Sequence, residues 1–172
     1  MVQAVPTGIN SALVLIKTQT VGTTVSSVEV TGAFSATYDN YLVTIDGTVG
    51  STAAYMGLIL GATTTGYYNG SNYFAYDTGS PSATASNNGA KFVNVGRINT
   101  LGSNTKIEFT SPFLSVRTGI LYRNSGYETS TGNAFHGGGF LDNATSYTAF
   151  TISPNSGTYT GGTIRVYGYT NS

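Results

Sequence analysis

The chain has no cysteine and no tryptophan, and only 8% of its 172 residues are Asp, Glu, Lys or Arg, against about 25% in an ordinary soluble domain. Without cysteine there is no disulfide framework, thiol nucleophile or zinc–thiolate site, and the redox compartment leaves no mark on the composition. The scarcity of charge excludes more. Seven basic and seven acidic side chains give a formal net charge of +0, so there is no basic footprint for a phosphate backbone, and nucleic acid is not an expected partner. A free monomer ordinarily keeps itself dispersed with a net charge away from zero; a neutral surface suits a fixed place in an assembly. No apolar run approaches the ~18 residues of a membrane-spanning helix, so no membrane partner is expected either. The short apolar run from Leu13 to Ile16 lacks a basic stretch before it and a small-residue cleavage signal after it, and it reads as a first strand rather than a leader.

Thr, Ser, Gly, Asn and Tyr take the place of the missing charge, with 13 Tyr and 8 Phe supplying the aromatic bulk. A chain of this size buries roughly 70% of its unfolded surface and needs no covalent or metal staple. The expectation is a single β-sandwich domain over residues 1–172. β-Branched and aromatic residues recur in short alternating runs bounded by Gly, Asn, Ser or Pro, and no helical stripe forms. The runs are Leu13 to Gln19, Val25 to Thr31, Tyr41 to Val49, Tyr55 to Leu60 and Lys91 to Arg97, then Thr105 to Thr110, Leu114 to Arg123, Ser146 to Ser153 and Thr163 to Tyr169. In Lys106-Ile107-Glu108-Phe109 the apolar pair faces a core and the charged pair faces water; Tyr41, Val43 and Ile45 alternate in the same way. About nine strands with one wet face each predict an all-β, antiparallel, jelly-roll-like sandwich. An immunoglobulin-like sandwich competes, but the chain is long for one such domain and lacks its Cys and Trp landmarks.

Two long punctuated segments read as loops. Residues 61–90 hold Tyr67, Tyr68, Tyr73, Phe74 and Tyr76 ahead of a Ser, Asn and Gly stretch, an aromatic patch suited to a protein interface or to glycan stacking. Against that, Tyr73 and Phe74 would point to opposite faces of a strand, one of them simply joining the core. Residues 124–145 are glycine-rich and contain the sole histidine, His136. Neither segment has a fixed repeat or heptads, so no fibre shaft is expected.

The search for chemistry returns refusals. Phe135-His136-Gly137-Gly138-Gly139 resembles the oxyanion segment of lipases, but the chain has no G-x-S-x-G elbow, and a sole histidine at the hole leaves none to act as base. A glycine-kinked strand is the plainer reading. Asp39, Asp46, Asp77, Glu108, Glu128 and Asp142 could in principle supply a glycosidase pair, yet most sit beside Gly, Asn or Thr, where Asp caps turns. Asp142-Asn143 and Asp77-Thr78-Gly79 lack calcium-loop spacing, and Ala62 to Gly70 lacks the lysine of a P-loop. No catalytic residue, metal or cofactor is expected. Asn69-Gly70-Ser71 and Asn143-Ala144-Thr145 match glycosylation sequons, which arise by chance in so Asn- and Thr-rich a chain.

The close of the chain, Phe150-Thr151-Ile152-Ser153-Pro154-Asn155-Ser156-Gly157-Thr158-Tyr159 followed by Gly161-Gly162-Thr163-Ile164-Arg165-Val166-Tyr167-Gly168-Tyr169, resembles the ending of small β-sandwich virion proteins of tailed bacteriophages. There a strand, a Pro-Asn/Asp-Ser-Gly turn and a last strand ending in Tyr-Gly complete the sandwich. The opening is similar as well, with Tyr38-Asp39-Asn40-Tyr41-Leu42-Val43 entering a long strand; together these cover roughly a third of the chain. The resemblance implies a virion component. A capsid decoration or cement protein is the preferred form, a homotrimer partnered by the major capsid protein and by its own copies. The alternative is a tail or fibre-associated adhesin that meets other tail proteins or binds host glycan through residues 67–76.

Overall fold

A computed structural model describes residues 12–127 and 132–171. The alternating runs become strands, and the described residues contain twelve: β1 (Leu13–Thr20), β2 (Val28–Val30), β3 (Asn40–Gly50), β4 (Ala54–Leu60), β5 (Tyr67–Ala75), β6 (Pro81–Gly89), β7 (Phe92–Ile98), β8 (Ser103–Thr110), β9 (Thr118–Tyr127), β10 (Gly132–Leu141), β11 (Phe150–Pro154) and β12 (Tyr159–Tyr169). They form an antiparallel all-β sandwich. One sheet has eight strands in the order β1-β12-β3-β8-β9-β10-β5-β6, and the other has four in the order β2-β11-β4-β7.

The expected count of about nine was low because both segments read as loops contain strands. β5 and β6 form a hairpin from the first, and β10 comes from the second. Hydrophobic periodicity misses them for a physical reason: their core-side positions carry Asn69, Ser71, Gly137 and Gly139 rather than aliphatic residues. Elsewhere the differences are at the ends. The run from Val25 shortens to β2, and β9 begins at Thr118 rather than Leu114.

Two parts make up the larger sheet. In the frame, β1 to β4 alternate between the sheets, and β7, β8, β11 and β12 do so again, giving β1-β12-β3-β8 over β2-β11-β4-β7. The extension, β9-β10-β5-β6, adds four strands beyond β8. The frame closes on an apolar core. Tyr41, Val43, Ile45, Ile107, Phe109, Ile164 and Val166 from the large sheet meet Val28, Val30, Leu58, Leu60, Phe150 and Ile152 from the small one. Phe34, from the β2–β3 connection, sits with ring centroids 4.9 Å from Tyr41 and 5.1 Å from Phe109. Buried Tyr41 keeps its phenol satisfied by donating to Ser35 O at 2.7 Å and accepting from Ser35 N–H at 2.8 Å, as a buried hydroxyl must.

The extension is held differently. β7 pairs with β4 along one edge only, so its other edge presents backbone groups to the extension. Two asparagine side chains take the place of a neighbouring strand. Asn69 Nδ2 donates to Val93 O at 2.7 Å, and Val93 N–H donates back to Asn69 Oδ1 at 3.1 Å. Asn124 does the same at Arg97, accepting its N–H at 3.0 Å and donating to its carbonyl at 3.2 Å. A carboxamide has the donor and acceptor of a peptide unit, which is why Asn is used at both positions. Gly96 leaves room for the second amide, since a Cβ there would lie 3.2 Å from Asn124 Cβ.

Candidate binding face

Strand alternation divides the five aromatic residues expected to form one contact patch. Tyr67 is a correction: it is 0% exposed and belongs to the core. Its hydroxyl accepts Leu60 N–H at 2.9 Å and donates to Thr63 O at 3.1 Å, and burial pushes its phenol up to about 12. Tyr73 also turns inward, stacked on Phe135 at 4.9 Å near Tyr55, whose ring has the Arg97 guanidinium 5.8 Å from its centroid. Hydrogen bonds with Ser82 and Tyr55 hold the Tyr73 phenol below the ordinary tyrosine range. Tyr68, Phe74 and Tyr76 remain on the outer face. Residues 67–76 are therefore not one patch but a strand with two differently occupied sides.

The segment Gly137 to Gly139 lies inside β10, opposite Tyr122 to Ile120 on β9 and Ser71 to Asn69 on β5. In a strand paired on both sides the N–H groups belong to the ladders, and none is left to converge on an oxyanion. The glycines serve close approach instead. A Cβ on Gly137 would run into Gly70 O and stand 2.6 Å from the Tyr122 ring, and one on Gly139 would meet Tyr68 O. Tyr122 fills that space with its hydroxyl, which accepts from Asn69 Nδ2 at 3.0 Å and donates to Gly70 O at 3.1 Å; burial raises its phenol. Asn69, first residue of a sequon, is thus buried with its amide committed.

The carboxylates are scattered. Asp46 engages Arg165 at 2.8 Å, Glu108 lies 3.7 Å from Arg123, and Asp142 engages Arg117 at 2.5 Å. Asp77 occupies the β5–β6 turn, where Gly79 N–H donates to Ala75 O at 2.9 Å. The Asp39 carbonyl accepts Ser111 N–H at 2.9 Å, and Glu128 lies outside the described residues. Among the described residues no group of three or more His, Asp or Glu could hold a metal ion.

What the fold does assemble is the outer face of the extended sheet. Cross-strand register places Arg165, Thr44, Lys106, Arg123, His136 and Asn72 in one row across β12, β3, β8, β9, β10 and β5. Two ring pairs stand beside it. Tyr68 and Phe140, directly opposite on β5 and β10, stack at 5.0 Å and 10°, and Phe74 stacks on His136 at 6.4 Å and 21°. Two adjoining concavities of about 420 and 300 Å³ open here. The larger is lined by Asn104, Lys106, Arg123, Ser125 and Ala134, the smaller by Lys106, Glu108, Leu121, Arg123 and His136. Sequence reading singled out none of the cations, because only register brings them together. Comparison with known proteins finds no matching protein family, no matching curated protein and no matching solved structure.

Proposed function

We propose that this chain is a structural component of a tailed-bacteriophage virion, a capsid decoration or cement protein whose contact element is the free edge of β1. The observation that carries this reading is the edge itself. Among the described residues β1 pairs only with β12, yet it exposes three consecutive apolar residues, Val14, Leu15 and Ile16, at 37, 53 and 36%. An unpaired apolar edge invites another chain. Proteins that stay single blunt such an edge with proline, small or charged residues, as β6 does here with PSATASNNG. The alternation of the eight frame strands between the two sheets supports a jelly-roll reading, and the low-charge surface suits permanent burial against neighbours.

In this role no bond is made or broken. Association that exists only in the assembled shell stabilises the shell by mass action, with the major capsid protein on one side and further copies of this chain, as a homotrimer, on the other. Particles carrying Leu15→Lys should lose the protein during purification and lose heat resistance. Retention of the variant at full copy number would overturn the edge as contact, and unchanged heat resistance of particles lacking the chain would overturn the cement role.

A second reading is an adhesin of the tail or fibre that binds host glycan. The stacked pairs Tyr68–Phe140 and Phe74–His136, both displayed outward, favour it. Copy number separates the two: in proportion to the capsomers for a cement protein, in proportion to the tail for an adhesin.

A further inference from the structure

The row of cations is hard to explain by folding alone. Three of the seven basic residues and the only histidine stand in one line across the outer face. Lys106 lies directly opposite Arg123, and Arg123 directly opposite His136. Like charges placed opposite one another on a sheet face, as those of Lys106 and Arg123 are, work against the fold. Compensation is partial. Asp46 engages Arg165, and Glu108 stands 3.7 Å from Arg123, beyond ordinary hydrogen-bond length. Lys106 has no ion pair among the described residues.

Both concavities share Lys106 and Arg123 as lining residues, so the least compensated charge stands where the two meet. Beside it are the neutral polar groups of Asn104 and Ser125, while Asn72 and the two ring pairs stand farther across the same face, on β5 and β10. His136 and Phe140 are four residues apart on β10, about 13 Å along the strand, a span longer than one pyranose ring. Between them the outer positions are Gly138 and, opposite it, Gly70. The Leu121 side chain leans over Gly138, leaving an apolar wall beside a low floor.

We propose that this groove binds an anionic oligosaccharide. Arg123 and Lys106 take its carboxylate or phosphate, the former through its planar fork. The neutral amides and hydroxyl take sugar hydroxyls, and Leu121 with the Tyr68–Phe140 pair lies along the ring faces. This deepens the adhesin reading and rests on it. It commits to a different anchor from the aromatic residues alone, because the charge provides the discrimination and the rings provide contact area.

The test titrates the purified chain with a galacturonate oligosaccharide, a phosphorylated mannose oligosaccharide and, as the uncharged control, methyl-esterified galacturonate. At least one charged oligosaccharide should bind and the ester should not. Lys106→Gln and Arg123→Gln should each weaken binding roughly tenfold or more, with a melting temperature unchanged or raised and with affinity falling as salt rises. Phe140→Ala should weaken oligosaccharide binding and leave the weak binding of inorganic phosphate unaltered. Equal binding of the ester, or indifference to Lys106→Gln, would overturn the anionic groove and leave a neutral-glycan adhesin standing. Failure of all three saccharides to bind would overturn both.

Discussion

The frame and the extension of the eight-stranded sheet meet the smaller sheet in different ways. Over the frame, contact is apolar and aromatic: Phe34, Tyr41, Phe109 and Phe150 interlock, and Phe109 and Phe150 lie 5.7 Å apart. Over the extension aromatic contacts such as Tyr67–Phe92 at 4.8 Å are joined by amides, with Asn69 and Asn124 completing the free edge of β7. The first kind of contact is tolerant of direction and supplies most of the stabilisation. The second is directional, and fixes where the extension sits. Apolar burial makes the sandwich; hydrogen-bonded side chains hold the added strands at the register that aligns the outward row.

Substitutions can separate these two modes, beginning with the largest effect. Phe150→Ala should cost about 3–5 kcal/mol and lower the melting temperature of the whole molecule in one transition. Asn124→Ala removes the partner of Arg97 N–H and C=O and should cost about 1–3 kcal/mol for each group left buried without a bond. Its distinguishing readout is hydrogen exchange, with protection lost at Arg97 and along β9 and β10 while β3 and β12 stay protected. Uniform loss in both variants would mean that frame and extension unfold as one unit, and the distinction would fail.

Gly137→Ala tests the close approach of β10 to Tyr122 and Gly70. Overpacking there should cost about 1–3 kcal/mol, visible as a lowered urea midpoint, and it should reduce ligand binding at the groove because β10 carries His136.

Tyr67 ties the extension to β4 through Leu60, and its phenol, pushed up to about 12 by burial, makes that tie sensitive to alkali. The folded-state value lies above the unfolded one, so its contribution is complete below pH ~10. It is lost as pH rises from there towards 12, by up to about 2 kcal/mol. Equilibrium unfolding between pH 9 and 12 should show that fall, shallower in Tyr67→Phe, a variant already weakened by leaving Leu60 N–H without its acceptor.

The smallest effect on folding is expected at the frame's free edge. Leu15→Lys should change stability by no more than about 0.5 kcal/mol, since the side chain is exposed. A large loss of stability in the isolated chain would show that the edge serves the fold rather than a partner.

The frame was largely legible in the sequence because an apolar interior imposes a period of two: Tyr41, Val43 and Ile45 on β3, Ile107 and Phe109 on β8, and Ile164 and Val166 on β12 all declared their faces. Of the extension only β9 was legible, through Ile120 and Tyr122; β5, β6 and β10 were not, since inward positions of β5 and β10 are filled by Asn69, Ser71, Gly137 and Gly139. Their reason for being there is a backbone or side chain distant in sequence, and hydropathy does not register a hydrogen bond or an absent Cβ. The aromatic residues of 67–76 were visible as a cluster, but their sides were not. Tyr67 went to the core and Tyr68 to the outer face once pairing with β10 set the strand's orientation.

Composition alone therefore determined a neutral, sparsely charged chain with no thiol chemistry. Local pattern added the all-β class, the frame strands and the apolar run that became β1. Tertiary structure decided which residues share a surface, because cross-strand register is a long-range property. It brought Arg165, Lys106, Arg123 and His136 into one row from four separate strands, and among the described residues it gave β1 one neighbouring strand and β3 two.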